Sequence, residues 1–403
     1  MRDTNKEAYD RCLADESANK INLGIGILIG PDGIPLQSHA YYKKLHEMAN
    51  HLQYDPQRGA YLKPDPAVLE SAKQFLLDEL CIPEEYRKLC LVNWCEGGGS
   101  GALAQAIAFA FGYYKLPKTL MVQKKGWIGY RAHALTRRLK LIETEVDFSD
   151  ATDGTAHKNL LIAQLVHNRT SKRVTEDQWE ALAKSRRRKG SAPVIFDIAY
   201  SGFDHARYHQ AYLYTVLMAS NFFSLRKFLE YGIPCMIAWS PTKTKGTFRG
   251  RPGGALVLVC QNKKDYLKKE RFLTAVSRAN TGFLSVATYA LMRTMHDNPA
   301  ELKADHEKAL ACIWAAEQRW MKGTEDIPSL RKYFDYSKYA GMFRTLPTKS
   351  GSLERLAQNP GYHIHTVDMY NDDIGINITG LPESPNTPYI LASLAAEIHT
   401  TDK

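Results

Sequence analysis

One stretch constrains this chain more than any other: Ser240-Pro241-Thr242-Lys243-Thr244-Lys245-Gly246-Thr247-Phe248-Arg249-Gly250-Arg251-Pro252-Gly253-Gly254. It follows the apolar run Pro234-Cys235-Met236-Ile237-Ala238-Trp239 and precedes another, Ala255-Leu256-Val257-Leu258-Val259. Runs this apolar read as strands buried on both faces. Taken alone, a Lys/Arg-rich loop between strands also reads as a solvated turn. A lysine placed where a buried strand ends, among hydroxyls and glycines, suits a different chemistry. Burial beside other cations lowers its pKa and makes the free amine available as a nucleophile. The hydroxyls and Arg251 are suited to a phosphate dianion, so the stretch describes a pyridoxal phosphate (PLP) site with Lys243 as its Schiff-base lysine.

The rest of the chain adds to that reading in order. Ile21-Asn22-Leu23-Gly24-Ile25-Gly26-Ile27-Leu28-Ile29-Gly30 reads as a strand or extended arm leading to the turn Pro31-Asp32-Gly33. Gly26 serves either packing or room for a substrate. The turn-rich segment with Tyr61 precedes an amphipathic helix expected from about Pro66 to Leu80. Cys95-Glu96-Gly97-Gly98-Gly99-Ser100-Gly101 then opens an alanine-rich helix. Backbone N–H groups at such a helix start, approachable because glycine lacks a side chain, bind phosphate well. The required Lys-Ser/Thr pair and spacing of a nucleotide loop are missing.

Strand-like runs from Leu120, Leu160 and Pro193 alternate with segments long enough for helices, which predicts an α/β fold with a mostly parallel sheet. Ligands sit at the carboxyl ends of strands in such sheets. Trp127, Asn168, Asp197 and Tyr200 fall at or near those ends. A carboxylate inside Val-Ile-Phe-Asp-Ile-Ala-Tyr needs a cationic partner. A PLP pyridinium nitrogen is such a partner, and the carboxylate keeps it protonated; a turn-capping aspartate is the other reading. Helices are expected over roughly Lys263 to Ser277, Phe283 to Asp297, Pro299 to Met321 and Pro388 to Thr400, the last closing a smaller α+β unit.

Composition excludes several classes. Apolar residues make up 44% and charged residues 24% of 403, ordinary for a globular chain. No apolar run approaches the roughly 20 residues of a membrane span, and the start of the chain lacks an apolar signal segment, so a cytoplasmic location is expected. Seven scattered cysteines without a C-x-x-C pair argue against disulfides and zinc. The pairs His205/His209 and His363/His365 have no acidic or sulfur ligands at ligand spacing, so no metal is expected. Net charge is +10. The run Lys184-Ser185-Arg186-Arg187-Arg188-Lys189 reads as a solvated helix C-terminus, and no nucleic-acid motif accompanies it.

Together, Ile-Asn-Leu-Gly-Ile-Gly, Gly-Gly-Ser-Gly-Ala-Leu, Trp127, His-Asn-x-Thr, Asp-x-Ala-Tyr-x-Gly-Phe, Ser-x-x-Lys with Arg251, and Asn-Ile-Thr-Gly resemble the aspartate and aromatic aminotransferases of class I. The resemblance covers nearly the whole chain. It implies a fold-type I PLP-dependent transferase, with a large domain over 46–299 and a small domain formed by 1–45 and 300–403. Lys243 matches the lysine that carries PLP and shuttles protons, and Asp197 the partner of the ring nitrogen. Tyr200 and Asn168 match the groups on the ring oxygen, and Trp127 the stacking ring. Gly99, Ser100, Ser240 and Arg251 match the phosphate cup. Tyr61 matches the tyrosine that reaches the neighbouring subunit's phosphate, which implies a homodimer with shared sites. Arg278 falls near the arginine for a substrate's distal carboxylate.

One departure stands out. Where the family has an arginine for the substrate α-carboxylate, two residues before the Asn-Ile-Thr-Gly segment, this chain has Gly375, preceded by Asp372 and Asp373. An aminotransferase with atypical substrate recognition is the expectation, the carboxylate passing to Arg278, Arg249 or Lys245. The alternative is a PLP enzyme of elimination, replacement, cyclisation or oxidation on a bulky or cationic amino-acid derivative. The two aspartates would then receive a cationic group or, on the other reading, sit exposed in a turn.

Overall fold

The computed structural model describes residues 4–24, 26–54, 64–151, 156–280, 283–369 and 373–399. A short strand, β1 (Lys20–Asn22), precedes the strands of the central sheet: β2 (Cys90–Cys95), β3 (Thr119–Gln123), β4 (Lys140–Thr144), β5 (Leu160–Gln164), β6 (Val194–Ile198), β7 (Cys235–Trp239) and β8 (Gly254–Val259). Their spatial order is β2-β8-β7-β6-β5-β3-β4. Every pair is parallel except those made by β8, which runs antiparallel to both neighbours. All residues of β5, β6, β7 and β8 are buried, which is why these runs carry no polar alternation.

The reversal between β7 and β8 places the Lys243 loop. Trp239 pairs with Ala255, so residues 240–253 leave and re-enter the sheet at one end. In the same register Gln164 lies beside Asp197, and Asp197 beside Ala238. The carboxyl ends of β5, β6 and β7 therefore face one another under this loop. Helix Gly98–Tyr114 follows β2 and packs on β7 and β8, which brings its N-terminus to the same end.

A second apolar core gathers Leu23, Trp320, Phe334, Ile374, Ile376 and Leu394. Around it lie β9 (Phe343–Leu346), β10 (His363–His365), β11 (Val367–Asp368) and β12 (Ile374–Asn377). β12 is antiparallel to both β11 and β9, and β10 is parallel to β1. Helix Pro299–Gly323 joins this core, through Trp320, to the core on the central sheet that holds Phe196, Ile237 and Leu302.

Several boundaries differ from expectation for local reasons. The expected helix from Phe283 begins at Val286, because the Ser285 side chain accepts the Thr288 N–H and caps it there, leaving Phe283 exposed. The last helix spans Thr387–Glu397, and Thr400 lies outside the described residues. In the basic run Arg187, Arg188 and Lys189 are exposed, but Arg186 is buried. Its guanidinium donates to the carbonyls of Ala156 at 3.1 Å and Asn159 at 2.6 Å, tying the end of helix Glu176–Arg186 to the entry of β5. His363 and His365 share Asp15, at 2.8 and 2.7 Å from its Oδ2. Among the described residues no group of three His, Cys, Asp or Glu side chains could hold a metal ion. Among them also, no helix is long and apolar enough to cross a membrane.

Candidate active site

A cavity of about 340 Å3 opens at the carboxyl ends of β5, β6 and β7. Gly99, Ser100, Trp127, Asn168, Asp197, Tyr200, Ser240, Lys243 and Arg251 all line it. The structure thus brings together nearly all the residues singled out for a cofactor. Tyr61 lies outside the described residues.

Lys243 reaches in from its loop. Its Nζ donates to the Gly26 carbonyl and stands 4.6 Å from the centre of the Phe248 ring. Burial, and then the charge of Arg251, lower its pKa to about 8, which leaves about a tenth of it as free amine at pH 7, far more than an ordinary lysine. Lys245 points elsewhere. Its ammonium is buried 2.9 Å from Glu79 Oε2 and 2.9 Å from His306 Nδ1, while Trp239 donates to the other Glu79 oxygen at 3.0 Å. Lys245 is therefore an anchor for the loop, and lines a different cavity beside Phe75 and Tyr214. Arg249 lines a third cavity, with Lys243 and Phe248.

The phosphate-like end is built from backbone. Gly97 and Gly98 hold φ of 83° and 63°, a left-handed turn that glycine adopts without strain. They bring the start of helix Gly98–Tyr114, residues Gly97 to Ser100, to the cavity wall, where a helix N-terminus suits an anion. A side chain at Gly99 would start 3.1 Å from Ser240 Cβ. Glycine there keeps the helix start close to the Ser240 and Thr242 hydroxyls, which lie 2.7 Å apart. Arg251 completes this end.

At the opposite end Asp197, the penultimate residue of β6, is buried at 7% exposure. Burial raises its pKa to about 6, against bonds donated by the Tyr130 hydroxyl at 2.5 Å and the Ala199 N–H. The Tyr130 hydroxyl is in turn pushed well above its ordinary value by burial and the neighbouring carboxylate. Asn168 Nδ2 donates to the Tyr200 hydroxyl at 3.1 Å. Trp127 meets Tyr130 edge to face at 5.5 Å.

A smaller space of about 110 Å3 adjoins and shares Trp127, Asn168, Tyr200 and Lys243 with the first. Gly26 and Gly375 line it, together with Arg169 and Arg344. Asp373 is not an exposed turn residue: its carboxylate is buried and pairs with Lys125 Nζ at 2.5 Å. A buried carboxylate needs that cation, so the pairing offers no receptor for a cationic substrate. Asp372 lies outside the described residues. Arg278 stands exposed near the end of helix Lys263–Ala279 and lines neither space.

Reading the sequence missed Tyr130, Gln164, Phe248 and Arg169. Tyr130 had a local signal, because it follows Trp127 by three residues into the helix Gly129–Thr136. Its partner is 67 positions away and carries no such mark.

The family described as aminotransferase class I and II matches residues 18–339. An aromatic-amino-acid aminotransferase of Paracoccus denitrificans is 24% identical over 408 residues, covering 96% of this chain and 94% of that one. A chloroplastic aspartate aminotransferase 3 of Arabidopsis thaliana is 28% identical over 273 residues, covering 63% of this chain and 55% of the other. Among solved structures, an aromatic-amino-acid aminotransferase from Burkholderia pseudomallei, covalently bound to pyridoxal phosphate, superposes with a TM-score of 0.79 at 18% identity, covering 99% and 98% of the two chains. Aspartate aminotransferase from Saccharomyces cerevisiae cytoplasm superposes with a TM-score of 0.74 at 16% identity, covering 98% and 96%. The fold is that of the fold-type I transferases. With its family matched over most of its length, this chain belongs to the class I and II aminotransferases and is a PLP-dependent, aminotransferase-like enzyme.

Proposed function

We propose that the larger cavity seats PLP and that the enzyme transfers an amino group between an amino acid and a 2-oxo acid. The observation that carries this reading is the convergence, in one cavity, of the Lys243 amine, the Asp197 carboxylate and the glycine cradle with Arg251. These suit an aldehyde, a ring nitrogen and a phosphate dianion respectively. PLP, when bound, supplies the electron sink. The chain supplies the rest: Gly99, Ser100, Ser240 and Arg251 hold the phosphate, and Trp127 covers the ring. Tyr200 and Asn168 hold the ring oxygen. Asp197 keeps the ring nitrogen protonated, and Lys243, freed by its low pKa, moves the proton at the substrate carbon.

The relatives' names point to aromatic and acidic amino acids as donors. Gly375 sets this chain's recognition apart, since no fork for a carboxylate extends from that position. It is also what favours the second reading, an elimination, replacement, cyclisation or oxidation on the same electron sink. Incubating the PLP-loaded protein with 15N-labelled amino acids and 2-oxoglutarate separates the two. The expected result is label in glutamate, with donors of large side chain ahead of aspartate. Amino-acid consumption that proceeds without the 2-oxo acid and releases ammonia would replace this reading with the second.

We also propose a large domain over 46–299, a small one from 1–45 with 300–403, and a homodimer in which Tyr61 and Arg278 serve the partner's site. The distinct apolar core around β9–β12 supports the first statement, and the exposure of Arg278 away from its own cavity supports the second. Mixing inactive Lys243→Ala protein with an inactive Tyr61→Phe/Arg278→Ala double variant should restore part of the activity, because one hybrid site is then wild type. No recovery after proven subunit exchange would place both residues outside the partner's site.

A further inference from the structure

Beside the larger cavity, but outside its lining, buried polar side chains form a closed ring. Lys245 Nζ stands 2.9 Å from Glu79 Oε2 and 2.9 Å from His306 Nδ1. His306 Nε2 donates to the Ser201 carbonyl at 2.8 Å. Asn221 Nδ2 donates to the Ser201 hydroxyl at 2.7 Å and to the Glu79 carbonyl at 3.3 Å, which closes the ring. All of these residues are buried, so each polar contact acts in a medium where losing it is costly.

The members fall into two sets. Ser201 and Lys245 belong to the loops that build the cavity: Ser201 directly follows Tyr200, and Lys245 stands two residues after Lys243. Trp239, which donates to Glu79 Oε1 at 3.0 Å, directly precedes Ser240. Glu79, Asn221 and His306 come from outside these loops, on helix Pro66–Glu79, the π-helical turn Met218–Phe222 and helix Pro299–Gly323. Such a turn is wider than an α-helical one and is often found at functional sites. Here Ser220 and Asn221 are both buried, and Ser220 Oγ accepts from the Gly202 N–H at 3.1 Å. The segment after Tyr200 is therefore held from two sides.

His306 is the member that touches both loops. Burial, and then the charge of Lys245, lower its pKa to about 3, so the imidazole is neutral. With Nε2 donating to Ser201, Nδ1 is left as an acceptor, and the Lys245 ammonium fills it. The imidazole is thus a flat spacer between the backbone after Tyr200 and the side chain two residues beyond Lys243.

We propose that His306 is a positioning residue for the reaction: through Ser201 and Lys245 it sets the Lys243 amine against the Tyr200 hydroxyl. The inference rests on reading the larger cavity as the seat of PLP and Lys243 as its amine. His306→Leu removes the spacer and leaves the Lys245–Glu79 pair, whereas His306→Gln keeps one donor and one acceptor. The first measurement uses the apoprotein: competitive acetylation with acetic anhydride across pH, read by mass spectrometry of the Lys243 peptide, gives the pKa of that amine. Burial and Arg251 hold it at about 8 in the wild-type protein. His306→Leu should let it rise toward the ordinary 10.5, and His306→Gln should hold it near the wild-type value. In the PLP-loaded protein His306→Leu should lower kcat by about 10- to 100-fold, the cost of misplacement by up to about 1 Å, with KM within about threefold. His306→Gln should recover most of that loss. Arg186→Met is the control for stability alone, since it loses the bonds of a buried guanidinium at the entry of β5, away from the cavity. It should lower Tm and leave the Lys243 pKa unchanged. If His306→Leu does not fold, Lys245→Met/Glu79→Gln cuts the same tie without leaving a buried charge unpaired, and carries the same expectations. A folded variant whose Lys243 pKa or kcat stays at the wild-type value overturns the proposal, as does a pKa moved equally by Arg186→Met. Failure of the underlying reading looks different: the Lys243 pKa responds to His306→Leu, but PLP attaches to another residue.

Discussion

Borohydride reduction of the PLP-loaded protein is expected to fix the phosphopyridoxyl group on Lys243, and Lys243→Ala to lose both that adduct and turnover. Two lysines stand two residues apart in one loop, yet their surroundings differ in kind. Lys243 opens into the cavity with its pKa lowered to about 8 by burial and Arg251. Lys245 is held by Glu79 and His306 on the far side of the loop, where its positive charge is paired. Removing a nucleophile that also carries protons should cost roughly 10⁴-fold or more in turnover. Peptide mapping decides the matter: an adduct on Lys245 would refute the assignment.

Asp197→Ala is expected to lower turnover by at least about 100-fold while PLP affinity falls far less. A buried carboxylate that keeps a proton on the ring nitrogen, toward which the electrons of the reacting carbon would be drawn, acts as preorganised electrostatics, worth several kcal/mol in such sites. Turnover within about tenfold of wild type, only ~1.4 kcal/mol of barrier, would make Asp197 a strand-end residue. The same side chain leaves a mark on the apoprotein. Burial raises its pKa from 3.8 to about 6, so the folded chain holds this proton more tightly than the unfolded chain does. That contribution to stability is fully present below about pH 4 and is lost as pH rises through about 6. Asp197→Asn, which keeps the shape and can still accept from Tyr130, should therefore raise the apoprotein's Tm at pH 8. At pH 4 it should change little. Equal effects at both pH values would show that the carboxylate is not held protonated by its burial.

Much of this arrangement is legible in the sequence because it is local. Continuous apolar runs such as Pro234 to Trp239 announce strands covered on both faces, and glycines at 97–99 announce a tight entry into a helix. Alternation of such strands with helical segments dictates a mostly parallel sheet, and with it the end at which ligands collect. Lys243, Asp197 and Arg251 were visible for that reason. Lys243 and Asp197 each carry a charge that is costly where the neighbouring apolar runs place it.

What the tertiary structure alone decided are the partners. Lys243 meets the Gly26 carbonyl across 217 positions, Tyr130 meets Asp197 across 67, and Arg169 reaches Met369 across 200. The basic and acidic stretches misled most: Lys245, Arg186 and Asp373 read as solvated or substrate-binding and are buried with hydrogen-bond or ionic partners inside the protein. Local pattern encodes how a segment bends and which face it buries, whereas the pairing of charges depends on strand register and on which loops share a sheet end. Those are fixed only when the whole chain packs.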